Sequence, residues 1–347
     1  MLRGVKAAAA WSSLEEGKTM YVNIQVVSLD DKPRWDALHS RSGIPSHSWA
    51  FSHALSYSQV SPQLASVQVE ADALIFPFYQ RRWQEQIDVC TILSVSGAVM
   101  RSARQECLSA WSEFAAAEGW VACYLQFEPE TDMSGIAEAI PGNRVFLLDL
   151  SESNFLARTS QIVRRKVRRA EKLGVEFVED RHELAAAGRR LYSETMARSG
   201  AFAHYTFSES TLASWILDPG SLAIGAARRS QIEAIATFPF MGPRAEYHIG
   251  AASAGGRELT AWLLWQGIQR LRELGVKSLN FGGGVRPHDG VYQFKEKFGG
   301  PSLALHAVKQ IYQPETYRRL CSEANVPADT AWFPAYRASA FMRRFNS

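Results

Sequence analysis

Residues 281–300 read Phe-Gly-Gly-Gly-Val-Arg-Pro-His-Asp-Gly-Val-Tyr-Gln-Phe-Lys-Glu-Lys-Phe-Gly-Gly, and no other stretch narrows the choice of folds as much. They come after a helical pattern over 258–274, a glycine stop at Gly275 and a short apolar strand over 278–281. Three consecutive glycines at a strand end carry no Cβ and accept φ > 0, so a second backbone or a ligand can approach closely. A polar loop comes next, holding the cation Arg286, the imidazole His288 and the carboxylate Asp289. In 292–298, Phe294 and Phe298 stand at i, i+4 on one face of a short helix, with Lys295 on the flank of that face. A turn before a solvated lysine helix has the same composition, so composition alone assigns these residues no role.

The rest of the chain alternates strands and helices. Strands are expected over 21–27, 64–69, 73–78, 120–127 and 144–150 in the first half. The second half adds 175–178, 222–227, 232–240, 244–251 and 303–312. Helices are expected over 101–118, 154–173 and 314–323, among others, and Asp180-x-x-Glu183 marks a helix start by its capping-box spacing. Leu74-Ile-Phe-Pro-Phe78 is echoed by Ala236-Thr-Phe-Pro-Phe240, each ending the second strand of a hairpin and each followed by a helix, a glycine and a strand. That shared order implies two copies of one α/β unit. Pro77 and Pro239 have no N–H to give a ladder, which suits a strand splayed to admit a ligand.

The glycine stretch resembles the C-terminal signature of FemAB-like acyltransferases of the GNAT superfamily: a strand ending Phe-Gly-Gly-Gly, then Asp-Gly-x-Tyr-x-Phe-Lys-x-Lys-Phe-Gly. The similarity is good over residues 156–300 and weaker before them. It implies an α/β (α+β) fold of tandem GNAT-like domains, each a mixed twisted sheet flanked by helices. The first would span 20–150, joined by 313–347, and the second, catalytic one 151–312. Residues 1–19 have no apolar periodicity and are expected to be a lead outside the fold. The resemblance also implies that the final strand returns to the first unit and that the aromatic tail 332–337 packs on it.

The same resemblance implies N-acyl transfer. Lys295, carried by the Phe294–Lys295 pair, would stabilise the oxyanion or a donor phosphate, with Asp289 and Tyr247 as further catalytic candidates. Gly255, Gly256 and Arg257 head the 258–274 helix where GNAT enzymes hold coenzyme A pyrophosphate, and Gly282, Gly283 and Gly284, the further cofactor-binding candidates, would open a backbone channel beside Lys295. Substrate-binding candidates are Tyr205, His248, Arg286, His288, Tyr292 and Phe294. Arg164 and Arg168 join them from a helix crowded with arginines; a solvated surface would also account for that crowding. The phosphate-holding lysine that some relatives carry after a tryptophan is missing after Trp49, where His53 is the nearest candidate, and this counts against a nucleotide-linked muropeptide acceptor.

Composition removes other classes. The net charge of +3 is too small for a general nucleic-acid coat, so a DNA-binding role is not expected. Four widely spaced cysteines form neither a zinc site nor a disulfide frame, and no metal or nucleophile-elbow motif is present. No apolar run reaches the roughly 18 residues of a membrane helix, so the expected setting is cytoplasmic, with peripheral association with envelope-building machinery. The expectation is an N-acyltransferase that takes acyl-CoA and modifies an amine of a cell-envelope glycan or polysaccharide precursor. The alternatives are an aminoacyl-tRNA-dependent peptidoglycan-precursor aminoacyltransferase and a non-catalytic GNAT-like binding subunit of polysaccharide assembly.

Overall fold

Two prolines mark the places where the sheet divides. The computed structural model describes residues 6–11, 14–15, 18–92, 95–101, 105–151, 155–199, 207–286, 288–330 and 332–338. In its first half, the Gln63–Val69 and Asp72–Trp83 strands form a hairpin with Leu64 opposite Pro77. Beyond the proline, Phe78 to Trp83 pair with the Gln86–Thr91 strand; before it, Leu74 and Ile75 pair with the Val99–Met100 strand. The second half repeats the plan. Ser221–Arg228 and Gln231–Met241 form the hairpin, with Ser221 opposite Pro239. Phe240 and Met241 pair with Arg244–Glu246, while Ala234 to Thr237 pair with Ile249–Ala252. In both units the neighbouring strand splits at the residue that lacks an N–H.

The expected single strand over 244–251 is therefore two strands, interrupted at Tyr247 and His248. Side-chain alternation continues through the break, which is why the sequence pattern does not reveal it. Backbone N–H groups there bond sideways: Tyr247 to the Asn280 carbonyl at 2.8 Å and His248 to that of Thr237 at 3.0 Å.

Each unit then crosses over through a helix to a parallel strand. Gln105–Ala117 leads to Ala122–Gln126, parallel to Gln86–Thr91. Thr260–Glu273 leads to Ser278–Asn280, parallel to Arg244–Glu246. The next strand of each unit is exchanged. Ile140–Asp149 pairs with Ser278–Asn280 of the second unit, and Ser302–Ile311 pairs with Ala122–Gln126 of the first. The two exchanged strands also pair with each other, so one mixed sheet runs through both units. The cores follow the exchange: Phe146, Leu148 and Leu150 pack with Ile224, Phe238, Leu264 and Phe281, whereas Val308 packs with Phe76, Trp111 and Leu125.

A third apolar cluster joins the halves. Phe51 and Leu55 of the Trp49–Ser56 helix meet Leu191 of Arg181–Ser199 and Leu212 and Trp215 of Glu209–Leu217. The Trp215 indole N–H donates to the Phe51 carbonyl at 3.1 Å. The tail lies against the Gln86–Thr91 strand, with the Tyr336 hydroxyl and the Arg337 guanidinium both donating to the buried Asp88 carboxylate at 2.9 and 2.6 Å.

Two local expectations need correction. Residues 154–173 are not one helix: Phe155–Arg158 stops, Ser160 caps the next helix through the Val163 N–H, and Gln161–Lys172 starts afresh. Residues 1–19, expected outside the fold, supply a Lys6–Trp11 strand antiparallel to Val22–Ser28 at the sheet edge. All four cysteines are buried free thiols.

Candidate active site

The break at Tyr247 lies beside the end of the Ser278–Asn280 strand, and the glycine stretch begins there. Each of its three glycines has its own reason. Gly283 approaches the backbone of the Ile140–Asp149 strand so closely that a Cβ would overlap the Arg144 carbonyl. Gly284 leaves room for the Asp289 carboxylate. Gly282 has φ +67°, and the space a Cβ would fill there is bounded by Lys295 Nζ at 2.8 Å and Val95 Cγ1 at 3.0 Å. Two of the three glycines expected to hold a cofactor are thus explained by packing within the protein. Gly282 borders a side chain of chemical interest.

Asp289 fixes both the polar loop before it and the short helix after it. It caps the Gly290–Glu296 helix, one carboxylate oxygen accepting from the Tyr292 N–H at 2.8 Å. The other accepts from the N–H groups of Val285 and Arg286 at 2.8 and 2.9 Å. Partial burial pushes this carboxyl up, but the backbone donors outweigh it and the net shift is downward. A carboxylate engaged in this way positions the loop and has little capacity left as a base.

The helix so fixed turns Lys295 inward. Its side chain is only 8% exposed, its ammonium lying 5.0 Å from the centre of the Tyr247 ring and 5.8 Å from that of Phe281. Burial holds its pKa down to about 7 from the ordinary 10.5, partly opposed by the charge of Asp289. The expectation of a flanking lysine gives way to a buried amine that exists both charged and neutral near pH 7. Phe294 packs edge-on against Phe298, their ring centres 5.5 Å apart, and this anchors the helix. Burial raises the Tyr247 phenol well above its ordinary value.

The other expected residues scatter. Tyr292 is a core residue, its ring against Phe146 and its hydroxyl near that of Ser302. His288 has φ +59° and rests edge-on against Tyr292 at the surface, and Arg286 is exposed. His248 faces away from Lys295, between Phe51 and Trp215, where burial holds its pKa down to about 3. Tyr205 lies outside the described residues.

Around the head of the Thr260–Glu273 helix, the Gly256 N–H donates to the Ser253 hydroxyl at 2.9 Å, so this amide is already engaged within the protein. A Cβ on Gly256 would overlap the Glu233 carbonyl. Arg228 bridges Glu233 and Glu258 across the loop, and Arg257 is exposed. The arginine-rich helix packs beside this loop. Arg165, Lys166, Arg168 and Lys172 are exposed, Arg169 reaches Glu258 at 3.6 Å, and Arg164 donates to the Thr159 carbonyl at 2.6 Å. Its start touches the lysine helix, the Ser160 N–H donating to the Lys297 carbonyl at 2.8 Å.

Sequence reasoning missed the seam between the units. Glu246, 2% exposed, accepts from the Ser96 hydroxyl and from the Ser46 N–H at 2.8 Å. Burial pushes its carboxyl up. A shallow, open cleft beside it is lined by Ser96, Glu128, Arg244, Glu246 and Asn280, among others. The only local signal was a carboxylate at the end of the short Arg-Ala-Glu strand, just before the break.

A split mixed sheet, a crossover helix and a glycine-rich return beside a buried lysine, with the same plan laid down twice in the chain, make up the α/β fold. No family model matches the sequence, and no curated protein matches it. Solved structures do match in fold. FemX aligns with 83% of this chain and 98% of its own at 13% identity, with a TM-score of 0.63. A C-terminal DUF2156 domain from Agrobacterium fabrum matches at 15% identity and TM-score 0.57, covering 84% of this chain and 96% of its own. L-PGS from Bacillus licheniformis matches at 14% identity and TM-score 0.54, with 82% and 94% covered. The chain has the fold of these proteins.

Proposed function

We propose that this chain is an N-acyltransferase acting at the strand split beside Lys295. The observation that carries the reading is the Lys295 amine, nearly buried at the end of the split and poised near neutrality. Acyl transfer to an amine forms a C–N bond, breaks the bond from the acyl carbon to its carrier, and removes a proton from the attacking nitrogen. Neutral Lys295 takes that proton, and the ammonium so formed faces the oxyanion before passing the proton to the leaving group. Tyr247 forms the aromatic wall over the amine.

For the donor we favour acyl-CoA, and for the acceptor an amine of an envelope glycan or polysaccharide precursor. The occupied Gly256 amide and the carboxylates Glu233 and Glu258 around that loop favour a second reading, an aminoacyl-tRNA donor whose phosphates meet the arginine-rich helix. A thermal-shift screen against acyl-CoAs, aminoacyl-tRNA and nucleotide sugars separates the two. A ligand at 100 times its Kd stabilises the folded chain by about 2.7 kcal/mol. A shift with acyl-CoA supports the first reading and a shift with aminoacyl-tRNA the second. Product formation by wild type and not by Lys295→Met supports transfer at this site, and no shift with either donor counts against both readings.

A further inference from the structure

Lys295 is enclosed in part by the other unit. The described end of the first unit's own strand split, Val95 to Gly97, reaches across and lies against the second unit's split. Val95 Cγ1 and Lys295 Nζ bound the same small space over Gly282. A hydrogen-bonded chain holds this contact. The Asn280 side-chain amide donates to the Val95 carbonyl at 2.8 Å and lies 3.4 Å from the Ser96 hydroxyl. Its carbonyl oxygen accepts from the Gly282 N–H at 3.0 Å. Ser96 then donates to Glu246, which is tied on its other oxygen to the Ser46 N–H. Behind the seam, His47 bonds the Gly97 carbonyl at 2.8 Å, and the Gln126 amide holds the Ser96 carbonyl at 2.7 Å. Backbone and side chains of both units thus converge on one wall, and every polar member of the chain from Glu246 to Gly282 has a partner.

We propose that Glu246, Ser96 and Asn280 are positioning residues that hold Val95 and Gly282 against Lys295, so that the reactive amine is enclosed by both units and the first unit is a working part of the site. The proposal rests on the reading of Lys295 as the reactive group, and it explains why a serine and a carboxylate are buried together at the seam. None of the three needs to touch substrate. Their effect passes through the exclusion of water from one side of the lysine, because a cation shielded from water is disfavoured relative to its neutral amine. Asp289 is the charged group that opposes this at Lys295.

The test uses the full chain and needs no substrate. Lysines are labelled with acetic anhydride across pH 5–11, and the labelling midpoint of Lys295 is read by mass spectrometry. The exposed Lys166 serves as the internal reference. The wild-type midpoint is expected near the depressed value, about 7. Ser96→Ala and Val95→Ala are each expected to raise it by about one unit or more as water reaches the amine, with Lys166 unchanged. Ser96→Ala combined with Asn280→Ala is expected to shift it by less than the sum of the single changes, as coupled residues do. Melting curves verify that each variant is folded. Val95→Ala removes only a half-buried side chain, so it decides the matter if Ser96→Ala does not fold. A wild-type midpoint at the ordinary lysine value, or unchanged midpoints in the folded variants, overturns the proposal. Because the readout is a titration, it succeeds or fails independently of whether the chain transfers acyl groups.

Discussion

Replacing Lys295 by methionine should make the protein more stable and less active at once. The magnitude comes from the burial. Lowering the amine from 10.5 to about 7 means the folded state disfavours the charged form by about 3.5 units. At about 1.36 kcal/mol per unit, and with the folded amine half neutral at pH 7, the cost there is about 4 kcal/mol. The Tyr247 and Phe281 rings return about 1 kcal/mol through their attraction for the cation. Methionine keeps the packing of the stem without the charge, so Lys295→Met should gain about 3 kcal/mol and melt about 5 °C higher at pH 7. The pH dependence has a definite sign. The unfolded chain binds more protons than the folded one between about 7 and 10.5, so wild-type stability rises with pH across that window. The advantage of the methionine variant should be largest below pH 7, shrink through the window and vanish above it. Urea unfolding at pH 6, 8 and 10 measures this directly. Turnover should meanwhile fall by about 100-fold. A methionine variant no more stable than wild type at pH 6, or a stability gap that does not change with pH, would refute the reasoning about the lysine.

Other positions give sharper local tests. Asp289→Ala removes the acceptor for three backbone N–H groups and should cost about 1–2 kcal/mol in urea unfolding, with turnover lowered because Lys295 loses its fixed place. The wild-type Asp289 contribution should disappear as pH falls through its depressed folded value, a loss that the alanine variant lacks. Gly283→Ala drives a methyl into the Arg144 carbonyl and should lower the melting temperature by several degrees, whereas Gly290→Ala, with open space around it, should not. Arg164→Glu combined with Arg168→Glu should weaken binding of the phosphate-bearing donor, and wild-type affinity should fall as salt rises; binding that ignores both would leave the helix a solvated surface. A chain beginning at Met20 should stay folded, since Val22–Ser28 keeps its pairing with Gln63–Val69; loss of soluble protein would show that the Lys6–Trp11 strand is required.

What could be read from the sequence depended on how local its cause was. The Pro314–Glu323 helix begins at a proline, and Asp180 caps its helix through the N–H groups of His182 and Glu183; both signals lie within a few residues. Duplication was visible because Phe-Pro-Phe recurs at the same step of the fold. Even so, with Leu64-Ala65 taken as the counterpart of Leu222-Ala223 at the entry of each hairpin, the pairing is one residue out of step, since Phe76 faces Ala65 while Phe238 faces Leu222. The burial of Lys295 was hidden because its walls, Val95, Tyr247 and Phe281, come from other elements. The Glu246 seam was hidden for the same reason, its partners Ser46 and Ser96 belonging to the other half of the chain. The helix break at Ser160, by contrast, has a local cause that the helical periodicity masks, a serine capping the N–H three residues on.

The exchanged strands also bear on how the chain is made. The edge of Ala122–Gln126 is completed by Ser302–Ile311, which leaves the ribosome about 175 residues later. At about 5–20 residues per second, the first unit waits roughly 10–35 s with that edge open. Its partner strand, Ile140–Asp149, emerges early but finds its neighbour Ser278–Asn280 only near the end of synthesis. Contacts so distant in sequence make for slow folding, and the two units should acquire their native sheet together after release rather than one after the other. Nascent chains cut short before residue 302 should therefore expose an unpaired strand to chaperones, and a protease added during translation should find the first unit cleavable until the last strand is in place.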